Sequence, residues 1–342
     1  MIAVHVFLAS VFTLAAVAGA PDSSQAAYTL RVGIGHNPRS SWVKAMMRFQ
    51  EEVEVQSGGQ IKVNVYHSGQ LGSTQQTLEM VYLDAIEIAV PGAAQVEAYV
   101  PEAGVIVLPY IWKTEQQMFA ALDCRPGEII EAQFGKMNFH SLGWFANGFR
   151  CVTNSRKPIE SIEDMKGLKV RVIPSPAVME YFKAVGAAPV HIDWVELYEA
   201  LKMGVVDAQE NPPFFVYLGR MHEVQKYYSL TRHMNEPGVI IMNRKFYDKL
   251  EPRLQEILDT AGRNAARWQH TEMQKDNDEM LEQLKASGSI EINELSETAI
   301  ESFQKIAREK AYPVIIEKQL CGPQTRELIE MILSDTSMSQ ER

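Results

Sequence analysis

Apolar side chains recur along the chain at two spacings. Leu30, Val32 and Ile34 alternate with Arg31, Gly33 and Gly35, the period of two that marks a strand. Ser40-Ser41 then offers a cap to a helix that carries Trp42, Ala45, Met46, Phe49 and Val53 on one face and closes at Ser57-Gly58-Gly59. Ile61, Val63 and Val65 alternate again, a helix is predicted over about 74–83, and a short strand over 86–90. Strand, helix, strand, helix, strand predicts an α/β unit whose mostly parallel sheet is covered by helices.

A second series begins near Arg150. Strands are predicted over 149–153 and 168–172, a helical turn at 161–164, and helices over about 177–185 and 194–203, each ended by a glycine (Gly186, Gly204). Residues 205–209 read as a further strand, stopped by Pro212-Pro213. From Glu251 to about Lys285 the pattern is helical, with one interior glycine, Gly262. At 1.5 Å per residue such a helix runs roughly 50 Å, longer than one small domain is wide. A short strand at 290–292 and helices over about 296–310 and 325–333 complete the chain.

Composition narrows the function classes. The 342 residues include 43 acidic and 33 basic side chains, for a formal charge of −10, and no block of Lys or Arg. Nucleic acid and anionic membranes both need clustered cations, so neither is an expected partner. The length suggests about two domains. Residues 2–20 form an uncharged apolar run followed by Pro21 and small residues. This predicts a signal peptide within residues 1–27, cut after Ala20 or Ala27, and a periplasmic protein. The other reading is an uncleaved anchor helix. Cys124, Cys151 and Cys321 leave one disulfide or three thiols equally open.

Motifs for chemistry are missing. Pro38 stands where the third glycine of a dinucleotide fingerprint would follow Gly33 and Gly35. There is no P-loop, HExxH or GxSxG, and the 8 histidines lack ligand spacing. The reading is therefore of a non-enzyme, with no cofactor and no metal. A secreted α/β hydrolase is the competing class, since triads are set by geometry rather than by sequence position.

Some residues could hold a ligand. In Leu168-Lys169-Val170-Arg171-Val172 the alternation puts Arg171 opposite Val170 and Val172. A guanidinium inside a covered sheet needs an anion. An internal Arg–Glu pair or a solvated strand end is the commoner outcome; a fixed fork for a ligand carboxylate is the sharper one. Arg150 poses the same choice. Asn211 ends a predicted strand, where ligands gather in open α/β sheets, although Asn before Pro is also turn chemistry. Trp194 opens a helix, with core packing as its default role.

Together these segments form a pattern. Gly69-Gln70-Leu71-Gly72, Leu108-Pro109-Tyr110, Asn147-Gly148-Phe149-Arg150, Lys166-Gly167-Leu168-Lys169-Val170-Arg171-Val172 and Val206-Asp207-Ala208-Gln209-Glu210-Asn211-Pro212 resemble the DctP-type solute receptors of tripartite ATP-independent periplasmic (TRAP) transporters. The resemblance runs from about Tyr28 to at least Ala266. It departs where Ala208 and Asp84 replace usual glycines and Trp194 a common Phe.

The resemblance implies a periplasmic binding protein fold, with two α/β lobes, a hinge of crossing strands and a long helix spanning both. The lobes are expected over 28–147 plus 237–276 and over 148–236 plus 277–342. Arg171 would hold a ligand carboxylate, Arg150 give a second contact, and Asn211 set orientation. Trp194 would be an aromatic wall, and His36 and Pro91-Gly92-Ala93 would face the ligand from the first lobe. The implied function is capture of a small organic acid by a monomeric receptor and delivery to a small and a large membrane subunit, driven by an ion gradient. Among acids, a sugar acid is favoured: Trp194, Trp144 and Phe214 could give flat surfaces, and His36, Gln209 and Asn211 polar contacts. C4-dicarboxylates, keto acids and aromatic acids need the same arginine. A receptor feeding a sensor kinase is the remaining alternative.

Overall fold

The computed structural model describes residues 26–334. Of the signal peptide expected within residues 1–27, residues 1–25, with the cut point after Ala20, lie outside them. The described strands are β1 (Tyr28–Gly33), β2 (Ile61–Tyr66), β3 (Ile88–Ala89), β4 (Phe139–Phe145), β5 (Phe149–Asn154), β6 (Lys169–Val172), β7 (Ala188–His191), β8 (Ala208–Asn211), β9 (Tyr227–Asn235), β10 (Gly238–Asn243) and β11 (Glu291–Glu294). They form two sheets, ordered β2-β1-β3-β10-β4 and β11-β9-β5-β8-β6-β7. Each sheet is the centre of an α/β lobe. The parallel pairings expected of βαβ units are present at β1–β2, β1–β3 and β6–β8. Both sheets are nevertheless mixed, because β10 runs antiparallel to β3 and β4, and β5 antiparallel to β8 and β9. The strands that reverse are the ones that pass between lobes.

The passages are short. Residues Ala146 to Gly148 join β4 in the first sheet to β5 in the second, and Glu236-Pro237 join β9 in the second to β10 in the first. A carboxylate from the first lobe ties the two passages together. Glu115 Oε1 accepts the Gly148 N–H at 3.1 Å and the Asn235 Nδ2–H at 2.9 Å.

The third connection is the helix Pro252–Ser287 (36 residues), about 54 Å long at 1.5 Å per residue. Pro252 opens it, where a missing N–H costs nothing, and Gly288 in the left-handed region closes it. It packs on the Ser41–Gln56 helix and β4 in the first lobe and on the Pro213–Leu218 helix in the second. Gly262 is where it touches β4: a Cβ there would sit 2.3 Å from the Leu142 carbonyl oxygen. Alanine favours helix over glycine by about 1 kcal/mol, yet Gly262→Ala is expected to destabilise the fold. Backbone on the other side cannot rotate away, so overpacking of roughly 1–3 kcal/mol prevails. The midpoint of denaturant unfolding should fall; a rise would disprove the close approach.

The C-terminal helices modify the expected domain division. Thr325–Ser334 packs against Pro101–Val105 and Arg125–Lys136 of the first lobe as well as against Tyr312–Glu317 of the second. Tyr312 Oη donates to the Pro109 carbonyl at 2.7 Å, across the same seam. One apolar core accordingly runs from Leu78 and Phe134 of the first lobe to Val170 and Phe182 of the second.

Asp84 takes the left-handed backbone that glycine favours, with φ at 61°. Its carboxylate is held by Asn138, Asn243 and Lys245, which offsets the strain. Among the described residues the three cysteines are free: Cys124 is exposed, Cys151 and Cys321 buried. No described helix is long and apolar enough to cross a membrane.

Candidate ligand-binding site

A cavity of about 630 Å³ lies between the lobes, with Arg171, Arg150, Asn211, Trp194, His36 and Gly92 in its wall. Its size is that of a small-molecule site. Arg171 stands on β6, between Val190 of β7 and Gln209 of β8. Val170 and Val172 point into the core, so the pleat turns Arg171 to the cavity side. The guanidinium is 4% exposed, and its Nε donates to the Ile192 carbonyl at 2.7 Å. Among the described residues no carboxylate pairs with it, and its terminal nitrogens make no protein hydrogen bond. Burial draws its pKa down to about 10, and the nearby Arg150 charge adds to the effect against the weaker pull of Glu210, Glu236 and Asp193. This is a desolvated cation without a counter-ion.

Arg150, on β5, is the opposite case. Its Nε and Nη2 grip the Glu210 carboxylate, Nη2 also donates to the Glu210 carbonyl at 2.6 Å, and Nη1 reaches Glu236 Oε2 at 2.8 Å. Four of the five guanidinium N–H groups are thereby committed, which leaves one for a ligand. The internal Arg–Glu pair that sequence allowed at either arginine exists at Arg150. His233 Nε2 lies 3.6 Å from Glu210 Oε2. Burial alone would raise the Glu210 carboxyl, but Arg150 and His233 override it and hold it down at about 2. Glu236 goes the other way. Burial outweighs its arginine partner and lifts it to about 7.

Asn211 ends β8 with its amide in the wall. Its Nδ2 donates to Gln209 Oε1, and Gln209 Nε2 donates onward to Thr153 Oγ1 at 2.9 Å. Gln209 is fully buried and does not line the cavity; it orients Asn211 from the same face of the strand, two residues away.

An aromatic chain crosses the cavity from lobe to lobe. His36 lies 4.6 Å from Trp42 and 5.0 Å from Phe215, and Trp194 meets Phe215 edge-on at 5.9 Å. Burial lowers His36 to about 4, so it is neutral at physiological pH and cannot serve as an anion-binding cation. Phe214 is not in the wall. It packs in the core under the long helix, its N–H bonded to Asn277 Oδ1, and Phe215 faces the ligand space instead. Pro213 starts a helix there, and one residue along a helix turns a side chain by about 100°. Trp144 likewise stacks on Phe134, outside the cavity wall.

Sequence reading missed Trp42, Phe215 and Glu236, and the rim from Ser68 to Gln76. Trp42 reads as a helix-face core residue, and indeed its indole donates to the Ala146 carbonyl at 2.9 Å. Gly238 makes room for it, since a Cβ there would overlap the indole at 2.3 Å. Only Ser73 and Gln76, a capping box opening the Thr74–Tyr82 helix, carried a visible local signal. Among the described residues no group of three His, Cys, Asp or Glu side chains could hold a metal. What the wall offers is recognition: one free guanidinium, amides, a carboxylate and flat rings.

Residues 32–318 match the family of bacterial extracellular solute-binding proteins, family 7 (DctP). The 2,3-diketo-L-gulonate-binding periplasmic protein YiaO of Escherichia coli (strain K12) is 28% identical over 286 residues, 84% of this chain and 87% of that protein. A TRAP periplasmic solute binding protein from Sulfitobacter sp. NAS-14.1, solved with β-D-galacturonate, superposes with a TM-score of 0.84 at 29% identity, covering 90% of this chain and 99% of that one. Another, from Sulfurospirillum deleyianum DSM 6946 and solved with succinate, gives a TM-score of 0.82 at 29% identity, with 90% and 99% covered.

Proposed function

The chain belongs to the DctP family of bacterial extracellular solute-binding proteins, and from that premise we propose that it captures a small sugar acid for uptake by a TRAP transporter. Arg171 receives the ligand carboxylate in a two-pronged ion pair, and the observation that carries this reading is that its buried guanidinium has no protein counter-ion. Asn211 and the last N–H of Arg150 supply further contacts, while Trp194, Phe215 and His36 cover the carbon skeleton. The relatives' ligands, a diketogulonate, a galacturonate and a succinate, all present a carboxylate.

In this reading the protein is exported by the signal peptide in residues 1–27. The lobes, 28–147 plus 237–276 and 148–236 plus the chain from 277 to about 324, close on the ligand by bending at the two passages. The closed form is handed to the small and large membrane subunits. With a formal charge of −10 the protein does not attract anions over long range, so selectivity rests on local cations.

A thermal-shift series tests the proposal. D-galacturonate, D-glucuronate and D-galactonate are expected to raise the melting temperature, and D-galactose to leave it unchanged. Ligand at one hundred times Kd stabilises by about 2.7 kcal/mol. Stabilisation by the neutral sugar and not by the acids would refute it.

A further inference from the structure

The wall that Arg150 and Glu236 share carries acceptors that no protein donor satisfies. Glu236 sits on the passage between β9 and β10, 5% exposed, and lines the cavity. One of its oxygens takes the Arg150 Nη1–H, and among the described residues no other side chain donates to the carboxyl. A carboxylate offers about four lone-pair sites, so some remain for the cavity. Around it, Gln95 Oε1 and Asn147 Oδ1, from two more lining residues, have no hydrogen-bond donor. The position where a Gly92 Cβ would stand is 2.7 Å from both Glu236 Oε1 and Gln95 Oε1. Glycine at 92 is what leaves room for these two oxygens in the cavity wall.

Building on the carboxylate reading of Arg171, we infer that Glu236 is a specificity-determining residue that accepts hydrogen bonds from ligand hydroxyls and rejects a second carboxylate. A polyhydroxy monocarboxylate brings one anion for Arg171 and several O–H donors for the acceptor wall. A dicarboxylate of similar length brings a second anion into a buried corner where Arg150 is already neutralised by Glu210. That juxtaposition is repulsive, and an unpaired charge in a buried corner is costly. Negative selection of this kind separates acids that share the same arginine contact. Burial lifts Glu236 to about 7, so the rejection of a second carboxylate is full only above that pH, where Glu236 is ionised, and the calorimetry that tests it is run there.

Titration calorimetry with D-galactonate, D-erythronate and succinate tests this on the wild type, Glu236→Gln and Glu236→Asp. D-erythronate and succinate have the same number of carbons, so the pair isolates hydroxyl from carboxylate. The wild type should bind both hydroxy acids and prefer D-erythronate over succinate by at least about 10-fold, the worth of one hydrogen bond to a charged group. Glu236→Gln should shrink that ratio about 10-fold, from weaker hydroxy-acid binding and unchanged or tighter succinate binding. Glu236→Asp keeps the charge but withdraws it, and should lose hydroxy-acid affinity while still excluding succinate. Circular dichroism checks that each variant is folded, and Gln95→Leu, which leaves the Arg150 network intact, should weaken D-galactonate more than succinate. A wild type that binds succinate as tightly as D-erythronate, or a ratio unmoved in Glu236→Gln, would overturn the inference while the carboxylate reading stands. Binding of neutral sugars in place of acids would overturn both.

Discussion

Arg171→Gln is expected to abolish acid binding while leaving the unliganded protein as stable as the wild type or more so. In the free protein the Arg171 guanidinium is desolvated, bonded through Nε to the Ile192 carbonyl, and unmatched by a carboxylate. Its charge therefore costs stability until an acid arrives. Removing one partner of a buried ion pair typically costs about 3–5 kcal/mol, roughly 10²–10⁴ in Kd. The neutral amide also relieves the like-charge repulsion between Arg171 and Arg150, which contributes to the depressed Arg171 pKa. Arg171→Lys should recover little, because an ammonium cannot present two parallel N–H groups to a carboxylate. Calorimetry with D-galacturonate and urea denaturation of the free protein measure the two halves. Loss of stability together with loss of binding would mean that Arg171 is a structural cation, and the site assignment would fail.

The contrast between the two arginines shows where the sequence stops informing. The alternation of Lys169-Val170-Arg171-Val172 placed Arg171 on the face away from the core, and the pleat of β6 does so. Nothing local distinguished it from Arg150, because the partners that neutralise Arg150 lie 60 and 86 positions away. Pairing is a property of the fold. The same limit explains β9 and β10: buried on nearly every side chain, they show no period of two to read. The predicted strand at 205–209 lies three residues early, since Val205 is apolar but half exposed and the buried run is Ala208–Asn211. Phe214 and Phe215 were indistinguishable by type, and the phase of a six-residue helix decided between them. By contrast β1, β2 and the first two thirds of the helix Pro252–Ser287 were legible because their buried apolar positions recur at the period of the element.

Arg150→Met should destabilise the protein by about 3–5 kcal/mol, since it strands two buried carboxylates without their partner. Glu210 is fully buried and Glu236 nearly so, and Arg150 is the side chain on which both depend. The effect carries a pH signature. The folded-state pKa of Glu210 is depressed to about 2, below the unfolded value of about 4.3. Its contribution is present above about pH 4.3 and is lost as pH falls through that interval towards 2. Glu236 has the opposite sign. Its folded pKa of about 7 lies above the unfolded value, so it weakens the fold as pH rises from about 4.3 to 7. Without Arg150 both carboxyls become groups that burial forces to protonate. The variant's deficit should therefore be largest at neutral pH and above and shrink steadily as the solution is acidified towards about 2, where the wild type itself protonates Glu210 and loses the ion pair. Urea denaturation of the two proteins at a series of pH values measures this. A deficit that is independent of pH would show that Arg150 acts through its packing alone, and the carboxylates would then need another counter-ion.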